Sequence, residues 1–136
     1  MAGKGFEKLE VYQLSEKLFD AIWVFVITWD FLAKDTVGKQ LIRAADSVGA
    51  NIAEGSGRGS YQDNRRFVKI ARGSLYEVRH WLRRAYNRGL LDQNQVQSTK
   101  PLLDELSPKL NAYLNSIGPR TSDATKAADS LKGVNK

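Results

Sequence analysis

Apolar side chains recur at helical spacing along most of the chain, in four segments separated by short polar or glycine-rich stretches. In the first segment they return every three or four residues, which is the period of one helix face. This pattern predicts helix 1 over residues 7–31. Its predicted core positions are Val11, Leu14, Leu18, Ile22, Phe25 and Trp29.

Helix 1 carries a second apolar stripe beside the first, formed by Tyr12, Phe19, Trp23 and Val26. A helix of a monomeric bundle needs only one apolar stripe, and monomers seldom expose a large apolar patch. We therefore expect the second stripe to be the interface of a homo-oligomer. A wide core face in a compact monomer is the alternative.

Helix 2 is predicted over residues 38–54, after a turn at 34–37 in which Asp35 or Thr36 caps the new helix. Many of its side chains are small, so a neighbouring helix can approach closely. Its core positions are Leu41, Ala45, Val48 and Ile52. The residues expected to supply the positive φ that ends the helix are Gly55, Gly57 and Gly59.

Helix 3 is predicted to start at Ser60, which caps it together with Asp63, and to run to residue 88. Gly89 then follows as the glycine that closes the last turn. Because so few residues separate it from the next segment, the following helix is expected to be its antiparallel neighbour.

Helix 4 is predicted over residues 93–117, with Asp92 as its cap. Pro101 and Pro108 both fall inside it. Proline removes a backbone donor and clashes with the preceding turn, so we expect a kink, or a break near Pro101. Together the four segments predict an all-α, antiparallel up-down-up-down four-helix bundle over residues 6–117, with a flexible start (1–5) and a mobile polar tail (118–136).

The amino-acid composition limits the kinds of site that this protein can contain. The chain has 136 residues, no cysteine and one histidine, His80, so neither a disulfide nor a multi-histidine metal site is expected. It also lacks a long apolar run and a signal-peptide pattern, which favours a cytoplasmic protein without a membrane span. No cofactor is expected.

The net charge of +6 is concentrated in one segment. Residues 58–88 contain nine basic and two acidic side chains, whereas residues 1–57 contain six basic and eight acidic ones. Helix 3 gathers this surplus on one strip, because on a 100° wheel six of its polar positions lie within about 80° of one another. These positions are Arg65, Lys69, Arg72, Tyr76, Arg79 and Arg83.

This strip predicts contact with the phosphate backbone of RNA or DNA. Guanidinium groups pair bidentately with phosphate oxygens, and Tyr76 can stack on an exposed base. Two alternatives stay open: an ordinary solvated helix face, or a strip neutralised in an oligomer by acidic side chains of a neighbour's helix 1. Those acidic residues are Glu10, Glu16 and Asp20.

A second group of polar side chains lies near the contact between helices 2 and 3: Arg43, Asn51, Glu54, Arg66, Ser74 and Glu77. One interpretation is a catalytic pair, with Glu54 and Glu77 as acid and base. The favoured interpretation is a half-buried network that sets helix register, because no nucleophile, metal-ligand set or phosphate loop accompanies the carboxylates. We therefore expect a non-enzymatic protein.

Several strings resemble one protein family. They are QLIRAA (residues 40–45), ANIAEG (50–55), GR (57–58) and GSL (73–75). These resemble the four-helix-bundle proteins encoded in intervening sequences of bacterial 23S ribosomal RNA genes, over about residues 9–117. The resemblance implies a bundle that assembles into a ring, usually of five subunits. It implies less about activity, which is poorly defined for the family.

The same family is more distantly similar in fold to accessory proteins of diversity-generating retroelements, which assist a reverse transcriptase. The expected function is accordingly a ring-shaped scaffold with affinity for nucleic acid. The alternative is a protein–protein adaptor, or an accessory subunit of a nucleic-acid enzyme such as a reverse transcriptase, in which the basic strip docks an acidic partner.

Overall fold

The computed structural model describes residues 5–119, which contain four helices and no strand. A short 3₁₀ turn, Phe6–Lys8, precedes helix α1, Glu10–Val26. Helix α2 is continuous through three parts: Phe31–Ala33, a π-helical turn Lys34–Gly38, and Lys39–Ser56. Helices α3 and α4 are Tyr61–Asn87 and Gln93–Ser116. Residues 1–4 and 120–136, most of the predicted start and tail, lie outside the described part.

The helices form a four-cornered bundle in which each one packs against two others: α1 against α2, α2 against α3, α3 against α4, and α4 against α1. Neighbours run antiparallel. Along α2 and α3, for example, Ser47 meets Ser74 while Gly55, further along α2, meets Phe67, which comes earlier on α3. The predicted all-α four-helix architecture is confirmed. Because of this order, the α1–α2 side of the bundle lies opposite the α3–α4 side.

A single hydrophobic core runs through the bundle, and the predicted helical stripes supply it. Leu18 and Ile22 of α1 are fully buried, as are Leu41, Val48 and Ile52 of α2. Helix 1 differs from the prediction at two positions. Phe25 is only half-buried, whereas Val26, which was assigned to the oligomer stripe, is 3% exposed and belongs to the core.

The first turn lies earlier than predicted. Helix α1 ends at Val26, and the Asp30 side chain caps α2 by accepting a 2.9 Å hydrogen bond from the Ala33 N–H. The predicted turn at 34–37 is wrong, because those residues form a π-helical turn inside α2. This turn packs against the end of α1: a Cβ on Gly38 would lie 2.7 Å from Val26 Cγ1.

The glycine-rich corner also differs from the prediction. In residues 5–119 positive φ is confined to Gly89 and Gly118, so the positive φ expected for the three glycines after Glu54 is wrong. Gly55 is helical and buried, and a Cβ there would lie 2.6 Å from Asn64 Oδ1 and 3.0 Å from Phe67 Cβ. Its role is to let α2 and α3 approach closely, while Gly89 has the expected left-handed φ of 74°.

The helix starts follow the sequence closely. Ser60 Oγ accepts from the Asp63 N–H at 3.1 Å, and Asp92 forms a reciprocal capping box with Gln95. The expected break at Pro101 is wrong, because α4 is continuous through both prolines. Both prolines are exposed, so the carbonyls that lose a partner one turn earlier lie on the solvent side, where water can bond them.

Candidate nucleic-acid interface

The basic strip of α3 follows the groove between α3 and α4. We call it the basic face; its members are Arg65, Lys69, Arg72, Tyr76, Arg79 and Arg83. It takes this position because α3 is strongly amphipathic, with Val68, Leu75 and Val78 buried on other sides of the helix. The geometry therefore gathers all six predicted residues on one surface of the bundle.

Three arginines of the basic face reach across the groove to α4, and each is half-buried. The contacts are Arg65 Nη1 to the Ile117 carbonyl (2.7 Å), Arg72 Nη1 to Asn111 Oδ1 (3.3 Å) and Arg79 Nη2 to the Leu103 carbonyl (3.3 Å). All three acceptors are neutral. These arginines therefore hold α3 and α4 together while keeping their full positive charge, and each guanidinium has further N–H donors.

The other three members face solvent: Lys69 and Arg83 are exposed, and the Tyr76 side chain is 66% exposed. Within residues 5–119, no cation of the basic face lies within ion-pairing distance of a carboxylate. The surface therefore presents uncompensated positive charge, with an aromatic ring among the cations.

The lysines of α4 give a contrast on the neighbouring surface. Lys100 bonds Asp104 at 2.9 Å, and Lys109 bonds Glu105 at 2.9 Å and Glu10 of α1. The hydrogen bond with Glu10 is the main reason that the pKa of Lys109 is raised above its ordinary value, and the bond with Glu105 adds to it. Charge on α4 is thus locally neutralised, whereas charge on the basic face is not.

What the basic face can do follows from its donors. Guanidinium and ammonium groups along a groove can contact successive phosphates, and an exposed phenol ring can stack on a base. Such contacts position a strand without reading its sequence. The sequence did not indicate the acceptors on α4, since carbonyl groups carry no residue-type signal.

The predicted polar network exists in reduced form. Asn51 Nδ2 donates to both the carbonyl and the Oγ of Ser47, at 2.8 and 2.9 Å. Ser47 Oγ in turn lies 2.8 Å from Ser74 Oγ of α3, which is buried. Ser47, which the prediction left out, is thus the residue that joins Asn51 to α3.

The remaining predicted members do not join this network. Glu54 bonds Arg58 at 2.7 Å one turn along, and Arg66 lies 3.8 Å from Asp63; both pairs are exposed and within one helix or corner. Their assignment to an interhelical network is wrong, because side chains one turn apart satisfy each other first. Arg43 and Glu77 instead line a polar depression beside the two serines.

The residues of the predicted oligomer stripe differ in burial: some pack against the core and one is exposed. Tyr12 and Phe19 are half-buried against the core, and burial is the main cause of a raised pKa for Tyr12. Trp23 stays exposed, at 55%. It joins other exposed apolar side chains near the turn between α1 and α2, and we call this group the corner patch: Trp23, Val24, Ile27, Phe31 and Leu32.

Residues 5–119 contain neither a cluster of metal-binding side chains nor a membrane-spanning helix. They hold no group of three or more His, Cys, Asp or Glu side chains that could bind a metal ion. No helix among them is both long and apolar enough to cross a bilayer.

Comparison with protein families identifies this chain, whereas comparison with curated proteins gives no match. The family model described as "23S rRNA-intervening sequence protein" matches residues 7–112, which span all of α1, α2 and α3 and most of α4. This chain therefore belongs to the family of 23S rRNA-intervening sequence proteins.

Proposed function

We propose that this protein is a non-enzymatic, oligomeric scaffold that binds the backbone of RNA or DNA through the basic face of α3. The observation that carries the proposal is the uncompensated charge of that face, whose five cations have no carboxylate partner in the described part of the chain. Each phosphate contact would release counterions, so affinity is expected to fall steeply with salt.

The proposal includes self-association, since several copies of a weakly binding face would bind one strand with higher avidity. The corner patch favours self-association. Phe31 and Leu32 are 80% and 72% exposed, and exposing a group of large apolar side chains to water costs free energy. We propose a homo-oligomer whose subunits bury Phe31 and Leu32 of the corner patch, with five subunits as the resemblance implies.

The test is a fluorescence-anisotropy titration of labelled single-stranded RNA and DNA at low salt. The variant Lys69→Gln/Arg83→Gln removes two exposed cations from the basic face. The matched control, Lys17→Gln/Lys39→Gln, removes two exposed lysines from α1 and α2. Both variants lose two positive charges, so a comparison at equal net charge shows the effect of removing them from the basic face.

We expect the basic-face variant to bind about tenfold or more weakly than the control, and its log–log salt slope to be shallower by about 1–2. Equal weakening in both variants would mean that net charge, and not this face, attracts the strand. Absence of binding by the unaltered protein at low salt would refute the proposal and favour the adaptor alternative, in which the face docks an acidic protein.

A further inference from the structure

A concave pocket of about 150 Å³ lies between α1 and α2. Its floor is apolar, formed by the fully buried Ile22 and by Ala45, which is 1% exposed. Two aromatic side chains stand at its sides: Phe19, packed against the core, and Trp23, which is largely exposed. Because the α1–α2 side is opposite the basic face, this pocket is separate from the proposed nucleic-acid surface.

Two carboxylates, Asp20 and Asp46, also line the pocket. Neither has an ion-pair or hydrogen-bond partner for its side chain among residues 5–119. Burial raises the pKa of the Asp46 carboxyl above its ordinary value, and no cation among residues 5–119 lies within ion-pairing distance to offset this effect. The pocket thus keeps unpaired negative charge, partly desolvated at Asp46, beside aromatic surface.

Elsewhere the same bundle combines these groups with a guanidinium. The Arg58 guanidinium lies 4.8 Å from the centre of the Phe67 ring and bonds Glu54 at 2.7 Å. Arg66 lies 4.6 Å from the same ring and 3.8 Å from Asp63. Each of these arginines contacts an aromatic ring and a carboxylate together. The α1–α2 pocket supplies rings and carboxylates without the cation.

We infer that the α1–α2 pocket binds a guanidinium group on an apolar stem. The carboxylates of Asp20 and Asp46 accept hydrogen bonds from the N–H groups of the guanidinium. The indole of Trp23, which lines the pocket, can stack on the planar cation, and the apolar floor packs against the stem. The group can come from a free alkylguanidine or from an arginine of a second copy, since both carry the same chemistry.

The probe is butylguanidinium, with N-butylurea as a neutral compound of similar shape. Binding is followed through the indole N–H NMR signal of Trp23, which is assigned from its loss in Trp23→Phe. We expect a saturable shift with butylguanidinium and none with N-butylurea over the same range. Equal shifts for both compounds, or no shift with the guanidinium, would overturn the inference.

Variants locate the site. Asp20→Asn and Asp46→Asn preserve side-chain shape and are each expected to weaken binding about tenfold, because each removes a charge-assisted hydrogen bond. Asp104→Asn, which alters an exposed carboxylate on α4, is the control and is expected to leave binding unchanged. If all three variants weaken binding equally, the cation responds to overall charge and the pocket is not its site. Circular dichroism of each variant is the control for folding.

Sedimentation velocity separates the two sources of the guanidinium. If the occupant is an arginine of a second copy, butylguanidinium and Asp46→Asn will each lower the molar mass of the assembly. If the occupant is a free alkylguanidine, the mass will stay constant while the NMR shift persists. Neither result depends on nucleic acid, so failure here and failure of the proposed function are distinguishable.

Discussion

Helix α3 packs against α2 on one side and α4 on the other, and these two seams are built differently. At the α2–α3 seam the contacts come from small residues: Gly55 lies against Phe67, and Ser47 bonds Ser74. At the α3–α4 seam long arginines cover the groove and bond carbonyl and amide oxygens. The first seam is closely packed and uncharged at these contacts, and the second is held partly by cations that remain open to water.

The difference separates two roles of one helix, its contribution to stability and the proposed binding of nucleic acid. Close packing at the α2–α3 seam depends on the absence of side-chain atoms, so it tolerates little change. The arginine contacts at the α3–α4 seam are half exposed, and each contributes modestly to stability. Helix α3 is therefore anchored mainly through its α2 side, which leaves its other polar side free to carry charge.

The largest expected effect is at the closest contact of the α2–α3 seam. In Gly55→Ala the new Cβ would lie 3.1 Å from the Asn64 carbonyl oxygen and 3.0 Å from Phe67 Cβ. The Asn64 side chain can rotate away, but these backbone-bound atoms cannot. We expect a loss of about 2 kcal/mol in the free energy of unfolding, measured in urea.

Gly73→Ala is the matched control, because Gly73 is also helical and a Cβ there would meet no atom within 4 Å. It is expected to stabilise the protein by about 0.5–1 kcal/mol through helix propensity alone. If both alanines stabilised the protein, the seam would not require glycine.

A smaller effect is expected at the α3–α4 seam. Arg65→Gln removes the 2.7 Å bond to the Ile117 carbonyl at the end of α4. The expected cost is about 1–1.5 kcal/mol, with faster hydrogen exchange in the last turn of α4. Arg83→Gln, which alters an exposed cation of the same face, should change stability by less than about 0.5 kcal/mol. Equal stability of the two variants would mean that the carbonyl contact does not hold the seam.

The polar contact between α2 and α3 gives the next test. Ser74→Ala deletes the bond to Ser47 and is expected to cost about 1 kcal/mol of unfolding free energy. Glu54→Gln disturbs only an exposed pair with Arg58 and should cost less than about 0.5 kcal/mol. The reverse order, measured by urea denaturation, would show that Glu54 belongs to the network after all.

The smallest effect is expected at the α1–α2 side. There the Asp46 carboxylate has no ion-pair partner among residues 5–119. Since burial raises its folded-state pKa, protonation of Asp46 favours folding. This contribution is fully present below the unfolded pKa and is lost as pH rises through the folded value. Asp46→Asn should therefore raise Tm slightly at neutral pH, and the difference should shrink in acid. A Tm difference that grows in acid would contradict this assignment.

Much of the fold was accessible from local pattern. Apolar spacing predicted the four helices and most of the core, and the caps Ser60 and Asp92 marked two helix starts correctly. The basic face was also predictable, because residues on one helix face follow from helical geometry alone. The polar network was only partly predictable: Asn51 and Ser74 take part, but the sequence did not show that Ser47 joins them.

What the amino-acid sequence determined by itself was therefore local: helix type, amphipathic faces, and the concentration of charge on α3. Tertiary structure decided where α2 begins and which apolar residues are buried, because both depend on the neighbouring helices. Asp35 or Thr36 was the predicted cap of helix 2, but Asp30 caps α2, and the π-helical turn places Gly38 against Val26. Likewise, Val26 became core and Trp23 remained exposed, because a residue's burial depends on which helix lies beside it.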